Sequence, residues 1–129
     1  MLRRILLFLT LTTMATNAAD RIFELRTYTA KEGRLDEVLA RFRNHTVKLF
    51  EKHGMQNIGY WVPSEEPASR NTLIYIVAHK SRDAAAKSWD AFRKDPDWVK
   101  VKQESEKNGQ IVDKVVSVFL NPSDFSRIK

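Results

Sequence analysis

The sequence predicts an α+β domain in which strands and helices follow the order β-α-β-β-α-β, the ferredoxin-like arrangement with a four-stranded antiparallel sheet. Three observations lead to this prediction. Apolar residues recur at helical spacing in two regions, four segments are rich in Val, Ile and aromatic residues, and Gly or Pro residues separate these segments. The 129 residues are expected to form a single domain.

The first 19 residues are typical of a secretory signal peptide. Two arginines precede a short apolar run at residues 5–11, and small residues surround a cleavage position near Ala18 or Ala19. The run is too short to favour a membrane span, although an uncleaved segment would anchor the chain to a membrane. We therefore predict a secreted or periplasmic protein with a domain at 20–121 and a C-terminal tail at 122–129.

The first half of the domain is predicted to contain three strands and one helix. The first strand covers residues 22–29, and apolar residues then recur every three or four positions over 35–53, as in an amphipathic helix. Gly54 supplies the left-handed residue that ends this helix. Strands at 57–62 and 73–79 follow, so they form an antiparallel hairpin with a long polar tip.

The second half is predicted to contain two helices and the last strand. Ser81 is placed to cap a helix whose core face includes Trp89. Asp95 precedes a proline, which is the pattern of a capping acid before the first helical position, so a short helix begins there and extends to residues 108–109. The last strand covers residues 111–120.

The sheet has a second face that the helices cannot cover. Strands 73–79 and 111–120 are apolar on both parities, which is typical of strands buried on both sides. We predict that a second copy of the chain packs on the helix-free face, giving a homodimeric α/β barrel without exposed sheet edges.

The first strand reads FELRTY at residues 23–28 and places an acid, a guanidinium and a phenol on one parity. We predict that Phe23 and Leu25 face the helices. Glu24, Arg26 and Tyr28 then point into the space between the two sheets of the dimer. An acid and an arginine can pair there, which avoids the cost of an isolated buried charge.

Composition excludes several classes of function. The net charge of +6 falls to about +4 without the first 19 residues, and the basic residues alternate with acids instead of clustering, so no nucleic-acid interface is predicted. The absence of cysteine excludes disulfides and thiolate chemistry. The three histidines lack an adjoining carboxylate cluster and no Gly-rich phosphate loop is present, so neither a metal site nor a cofactor is predicted.

Several short motifs in this order resemble a NIPSNAP domain over essentially the whole mature chain: Glu24–Tyr28, Gly33, Lys52–Gly54, Gly59–Trp61 and Asp95–Trp98. The resemblance implies the dimeric α/β-barrel superfamily, which includes cofactor-free monooxygenases, haem-degrading enzymes and lactone isomerases. NIPSNAP members are mostly without assigned chemistry, and the eukaryotic ones are associated with mitochondria and protein interactions. Because this chain carries a bacterial-type export signal, fold and self-association are what the resemblance implies here.

Six side chains are candidates for a cavity or ligand site: Glu24, Arg26, Tyr28, Trp61, Tyr75 and His79. The fork of Arg26 suits a carboxylate or enolate oxygen, and Tyr28 can donate a hydrogen bond or relay a proton. A structural ion pair that sets the register between subunits is the alternative interpretation. His79 would need a partner to act as a base, and otherwise it is an edge histidine with one hydrogen bond. Trp61 lines the cavity or belongs to the core, and Trp89 is assigned to the core.

The sequence therefore predicts a homodimeric module that binds a small apolar or anionic molecule or a protein partner, without specifying a reaction. The alternative is a cofactor-independent monooxygenase or isomerase that acts on an enolisable or phenolic compound. A third interpretation is a structural interaction protein whose cavity is filled by side chains. The enzyme interpretation predicts an open pocket on which Arg26, Tyr28 and His79 converge.

Overall fold

The computed structural model describes residues 20–129, and the predicted signal segment lies outside the described residues. The strands are β1 (Ile22–Ala30), β2 (Gln56–Trp61), β3 (Thr72–His79) and β4 (Val112–Leu120). All pairings are antiparallel, and the strand order in the sheet is β2-β3-β1-β4. The predicted ferredoxin-like fold class is thus confirmed.

The helices are α1 (Leu35–Arg41), α2 (Val47–Lys52), α3 (Arg82–Lys94) and α4 (Pro96–Ser105). A π-helical segment at Phe42–Thr46 joins α1 to α2, so the first predicted helix is continuous but widened in its middle. None of the helices within residues 20–129 is long and apolar enough to cross a membrane.

The predicted glycine stop and the two predicted N-terminal caps agree with the structure, but the predicted end of the last helix does not. Gly54 follows α2 with φ +81°, a backbone conformation that glycine adopts without strain. The Ser81 hydroxyl accepts from the amide of Ala84 at 3.0 Å, and the Asp95 carboxylate accepts from the amide of Asp97 at 2.8 Å. Helix α4 ends before the predicted residues 108–109, because the chain turns there towards β4.

Aromatic side chains fill the space between the sheet and the helices. Phe50 of α2 lies at the centre of this core, with ring centroids 5.1–6.0 Å from those of Phe42, Tyr75, Trp89 and Phe92. These edge-on and tilted contacts are the geometries that aromatic rings prefer. The core therefore holds α3 against β3 and fixes the positions of Trp89 and Tyr75.

The polar parity of β1 faces the helices, so the predicted orientation of this strand is wrong. The Glu24 carboxylate accepts from the indole N–H of Trp89 on α3 at 2.7 Å, and the ring of Tyr28 packs 5.4 Å from that of Phe42. The alternation of β1 shows which side chains share a face of the sheet. It does not show which face meets the helices, because the side chains of either face can be buried. The hydrogen-bond donors and aromatic rings on the helix side favour the polar parity there.

The opposite face of the sheet is apolar and partly uncovered. In register, Phe23, Leu25 and Thr27 of β1 pair with Leu120, Val118 and Val116 of β4. The exposed fraction of Val118 is 48%, and Val116 and Leu120 are exposed as well. The C-terminal residues cover one end of this face, where Arg21 Nε donates to the carbonyl of Lys129 at 2.8 Å. We call this surface the helix-free face.

Candidate functional site

The candidate site is built around the carboxylate of Glu24, which is only 1% exposed. Its Oε1 accepts from Trp89 Nε1 at 2.7 Å and lies 3.0 Å from His79 Nε2. Its Oε2 accepts from Arg26 Nη1 and from Ser117 Oγ, both at 2.7 Å. The following residues are called the Glu24 cluster: Glu24, Arg26, Tyr28, Tyr75, His79, Trp89 and Ser117.

These contacts keep Glu24 ionised. Burial alone would raise the pKa of its carboxyl, but the hydrogen bonds from His79, Ser117, Arg26 and Trp89 outweigh burial and lower that pKa to about 2. A carboxylate with so low a pKa is a poor proton acceptor at neutral pH. Glu24 therefore acts as an anchor that orients the four groups around it.

Arg26 is held on three sides. Its Nη1 pairs with Glu24, its Nε donates to the Tyr75 hydroxyl at 2.9 Å, and its guanidinium lies 4.3 Å from the ring centroid of Trp89. Burial alone would lower the pKa of Arg26, but Tyr75, Tyr28 and Glu24 raise it above its usual range. The guanidinium remains charged, and its planar fork is locked in one orientation.

Two phenols extend the cluster away from the carboxylate. Tyr75 is fully buried, and its hydroxyl donates to that of Tyr28 at 3.3 Å. Burial raises the pKa of Tyr75 well above its ordinary value, and the nearby Tyr28 raises it further. Tyr75 is therefore neutral at physiological pH and serves as a hydrogen-bond donor, not as an anionic base.

His79 is buried at the end of β3, not at the mouth of a cavity. Glu24 is the partner that the sequence could not identify. Nδ1 of His79 has no hydrogen-bond partner within residues 20–129. Nε2 faces the Glu24 carboxylate, so Nδ1 is the ring nitrogen that is buried without a partner among the described residues.

Five of the six predicted site residues come together, and Trp61 does not. Trp61 is 52% exposed at the end of β2, and it pairs in register with Ile74, which places it on the helix-free face. Its indole lies against Gly59, where an added Cβ would collide with the ring. Trp61 thus covers the backbone of its own strand. It is not part of the Glu24 cluster, and it does not line either of the two main pockets of residues 20–129.

Sequence reasoning missed two members of the cluster. Trp89 was assigned to the core alone, although a buried indole N–H needs an acceptor and Glu24 supplies it. Ser117 is the one polar residue in the run of residues 115–120, and it pairs in register with Arg26. Both signals were present in the sequence, but the shared acceptor could be identified only from the fold.

An open groove lies apart from the Glu24 cluster, between α1–α2 on one side and α4 on the other. Its volume is about 750 Å³, and Arg41 contributes to its lining. None of the cluster residues lines this groove. Within the described part of the chain, no group of three His, Asp or Glu side chains is placed to hold a metal ion.

Comparisons with known proteins identify the family. The NIPSNAP family model matches residues 23–127. None of the curated proteins matches the chain. One similar solved structure is a NIPSNAP family protein from Agrobacterium tumefaciens with a TM-score of 0.73 and 23% identity, covering 84% of this chain and 99% of that chain. Another, with unknown function and from the same organism, has a TM-score of 0.72 and 21% identity, covering 85% and 95%.

A more distant structure carries an assigned activity. SnoaB, a cofactor-independent oxygenase from Streptomyces nogalater, has a TM-score of 0.57 and 13% identity, and the match covers 84% of this chain and 99% of SnoaB. The TM-score shows that the two proteins share a fold, but an identity this low shows nothing about the reaction. Because the family model spans nearly all of the described residues, the chain belongs to the NIPSNAP family.

Proposed function

We propose that the protein is an exported, homodimeric binding module. The observation that carries this proposal is that its reactive side chains and its open cavity are separate. The Glu24 cluster is closed, with every carboxylate oxygen engaged, whereas the groove of about 750 Å³ is accessible and lies elsewhere. A small molecule can therefore occupy the groove without breaking the buried ion pair.

The helix-free face supports the homodimer. Val116, Val118 and Leu120 lie in a row along β4, beside the apolar parity of β1, and all three are exposed. A flat apolar surface on a small domain is stabilised by burial against another apolar surface, and an identical sheet offers a self-complementary one. We therefore assign a second copy of the chain to this face.

The mass of the protein in solution tests the homodimer. We expect the wild-type protein to have twice the protomer mass in light scattering, and Val118→Asp to have the protomer mass with unchanged far-UV circular dichroism. Val115→Asp is the matched control, because Val115 is similarly exposed on the same strand but its side chain lies on the other face of the sheet. A wild-type protein that is monomeric at every accessible concentration would contradict the assignment.

Export and ligand binding need separate measurements. The N-terminal basic and apolar residues support export, and we expect protein produced from the full sequence in a bacterial host to lack about the first 18 or 19 residues in intact-mass analysis. A full-length mass in the cytoplasmic fraction would contradict export.

A ligand that binds the native state should raise the unfolding temperature in a small-molecule screen.

A second candidate function is a cofactor-independent monooxygenase or isomerase that acts on an enolisable or phenolic compound. It is supported by the fold shared with SnoaB and by His79 Nδ1, which has no partner in the described residues. In this function the cluster opens, His79 Nδ1 takes the substrate proton directly or through the Tyr28 hydroxyl as a relay, and Arg26 stabilises the oxyanion. Oxygen uptake or isomerisation with a phenolic panel, lost in His79→Gln, would favour this candidate over the binding module.

A further inference from the structure

Arg41 is a buried cation with incomplete compensation. It closes α1 at the groove, and its side chain is only 5% exposed. Its Nη1 lies 3.2 Å from Ser105 Oγ and 3.6 Å from a carboxylate oxygen of Glu106, and its guanidinium lies 5.1 Å from the ring centroid of Trp98. Its Nε has no hydrogen-bond partner within residues 20–129. Buried guanidinium donors are normally hydrogen-bonded, so Arg41 retains one buried donor that no described residue satisfies.

The electrostatic surroundings of Arg41 agree with this geometry. Burial lowers the pKa of Arg41, and the neighbouring Tyr28 and Glu106 offset that effect only in part. Arg26 differs, because a carboxylate oxygen of Glu24 lies 2.7 Å from its guanidinium and its pKa is raised. The nearest carboxylate oxygen to Arg41 is that of Glu106 at 3.6 Å, so the charge of Arg41 is compensated less closely than that of Arg26.

The groove around Arg41 is richer in available positive charge than in available negative charge. Each of the three acidic side chains that line it already contacts a cation: Glu37 with Arg34, Asp97 with Lys52 and Glu104 with Lys107. By contrast, Lys48 and Lys100 line the groove and form no ion pair with any described residue. Arg41, Lys48 and Lys100 therefore present a positive surface to whatever enters.

The backbone beside Arg41 is also unusual. The π-helical segment begins at the next residue, and the Thr46 hydroxyl donates to the carbonyl of Arg41 at 3.3 Å. Such segments inside α-helices occur frequently at functional sites, because the extra residue in the turn redirects neighbouring side chains. The feature is independent of the charges and coincides with the same residue.

We propose that this groove binds a small organic carboxylate, with Arg41 as the anchor and Lys48 and Lys100 at the rim. A carboxylate supplies a further acceptor for Arg41 and adds negative charge to that of Glu106, and the planar guanidinium can bind it through two parallel hydrogen bonds. Leu49 and Val101, which also line the groove, provide a surface for the apolar part of the ligand. The inference rests on the proposed binding function, to which it adds the site and the ligand class.

Titration with charged and neutral isosteres tests the ligand class. Benzoate, octanoate, benzamide and inorganic phosphate would each be titrated into protein produced from the full sequence, with calorimetry and amide chemical shifts as readouts. We expect benzoate and octanoate to bind and to shift the amides of α1, the π segment and α4. Benzamide should bind at least about tenfold more weakly, because it lacks the charge. The affinity for the carboxylates should also fall as salt is added.

Variants with matched controls test the residues. Arg41→Lys keeps the charge but loses the fork, so we expect binding about tenfold or more weaker. Lys100→Gln should weaken binding about two- to fivefold, whereas Lys102→Gln, on α4 but outside the groove lining, should leave it unchanged. If Arg41→Lys proves unstable, a double variant in which the exposed Lys48 and Lys100 are both replaced by Gln tests the same groove, and it should bind the carboxylates more weakly than wild type.

Several results would overturn the inference. Equal binding of benzamide, equal effects of Lys100→Gln and Lys102→Gln, or binding of phosphate without either carboxylate would each do so. A neutral ligand found in the screen, with both carboxylates inactive, would overturn this inference and leave the proposed binding function standing. If no ligand of any kind binds, both this inference and the proposed binding function are overturned. The light-scattering test of the dimer does not depend on that outcome.

Discussion

Glu24→Gln tests whether an ionised carboxylate stabilises this fold from the inside. Burial alone would raise the pKa of Glu24, but four donated hydrogen bonds lower it from 4.5 to about 2. Since a shift of one pKa unit corresponds to about 1.4 kcal/mol, the ionised form contributes roughly 3 kcal/mol to the free energy of unfolding at neutral pH. Glutamine keeps the size of the side chain but leaves Arg26 without its counter-charge. We expect the variant to lose about 3 kcal/mol at pH 7.

The pH dependence gives this prediction a second readout. The pKa of Glu24 is lower in the folded state than in the unfolded state, so its contribution is complete above pH 4.5 and is lost as the pH falls from 4.5 towards about 2. The difference in unfolding free energy between wild type and Glu24→Gln should therefore shrink over this interval. A purely steric effect of the substitution would not depend on pH in this way.

Urea unfolding at pH 7, 4 and 3, followed by circular dichroism at one fixed protomer concentration, measures these differences. Glu66→Gln is the control, because Glu66 forms an exposed ion pair with Arg70 and should contribute little. A loss below about 1 kcal/mol for Glu24→Gln at pH 7 would refute the reasoning, since broken buried pairs cost more. A difference that stays constant with pH would refute it as well.

Three further predictions concern the elements around the cluster. Trp89→Phe removes the indole N–H that donates to the buried carboxylate, and we expect about 1–3 kcal/mol less stability in urea unfolding; an unchanged midpoint would contradict this role. Gly54→Ala forces a side chain into φ +81° and should cost roughly 1 kcal/mol, while equal unfolding temperatures would argue against strain at this helix end. Hydrogen bonds from Lys52, His53 and a backbone amide hold the pKa of Asp95 below its ordinary value of 3.8. The stability advantage of wild type over Asp95→Asn should therefore be complete at neutral pH and should disappear as the pH falls below 3.8; an advantage that grows in acid would contradict this assignment.

Local features of the fold could be predicted from the sequence. The caps at Ser81 and Asp95 and the glycine at Gly54 act on backbone groups only a few residues away, so their spacing in the sequence is sufficient evidence. The π-helical segment was not predicted, because the apolar spacing of residues 35–53 is compatible with an uninterrupted helix.

The candidate site was predicted only in part. Alternation correctly grouped Glu24, Arg26 and Tyr28, since the period of a strand follows from its backbone geometry. Assigning that group to the helix-free face was wrong, because which parity meets the helices depends on donors that arrive from elsewhere in the chain. The groove beside Arg41 was not predicted at all, since its two walls come from separate helices.

The residues alone thus determined the order of strands and helices, the caps at Ser81 and Asp95, the stop at Gly54 and the set of side chains that share a face of β1, because each depends on neighbours close in the chain. The tertiary structure decided what that face contacts. It joined Glu24 to His79 and Trp89, which are 55 and 65 residues away, and left Arg41 beside an open groove. Contacts at such separations are selected by the packing of whole helices against the sheet, and no local pattern in the sequence records that choice.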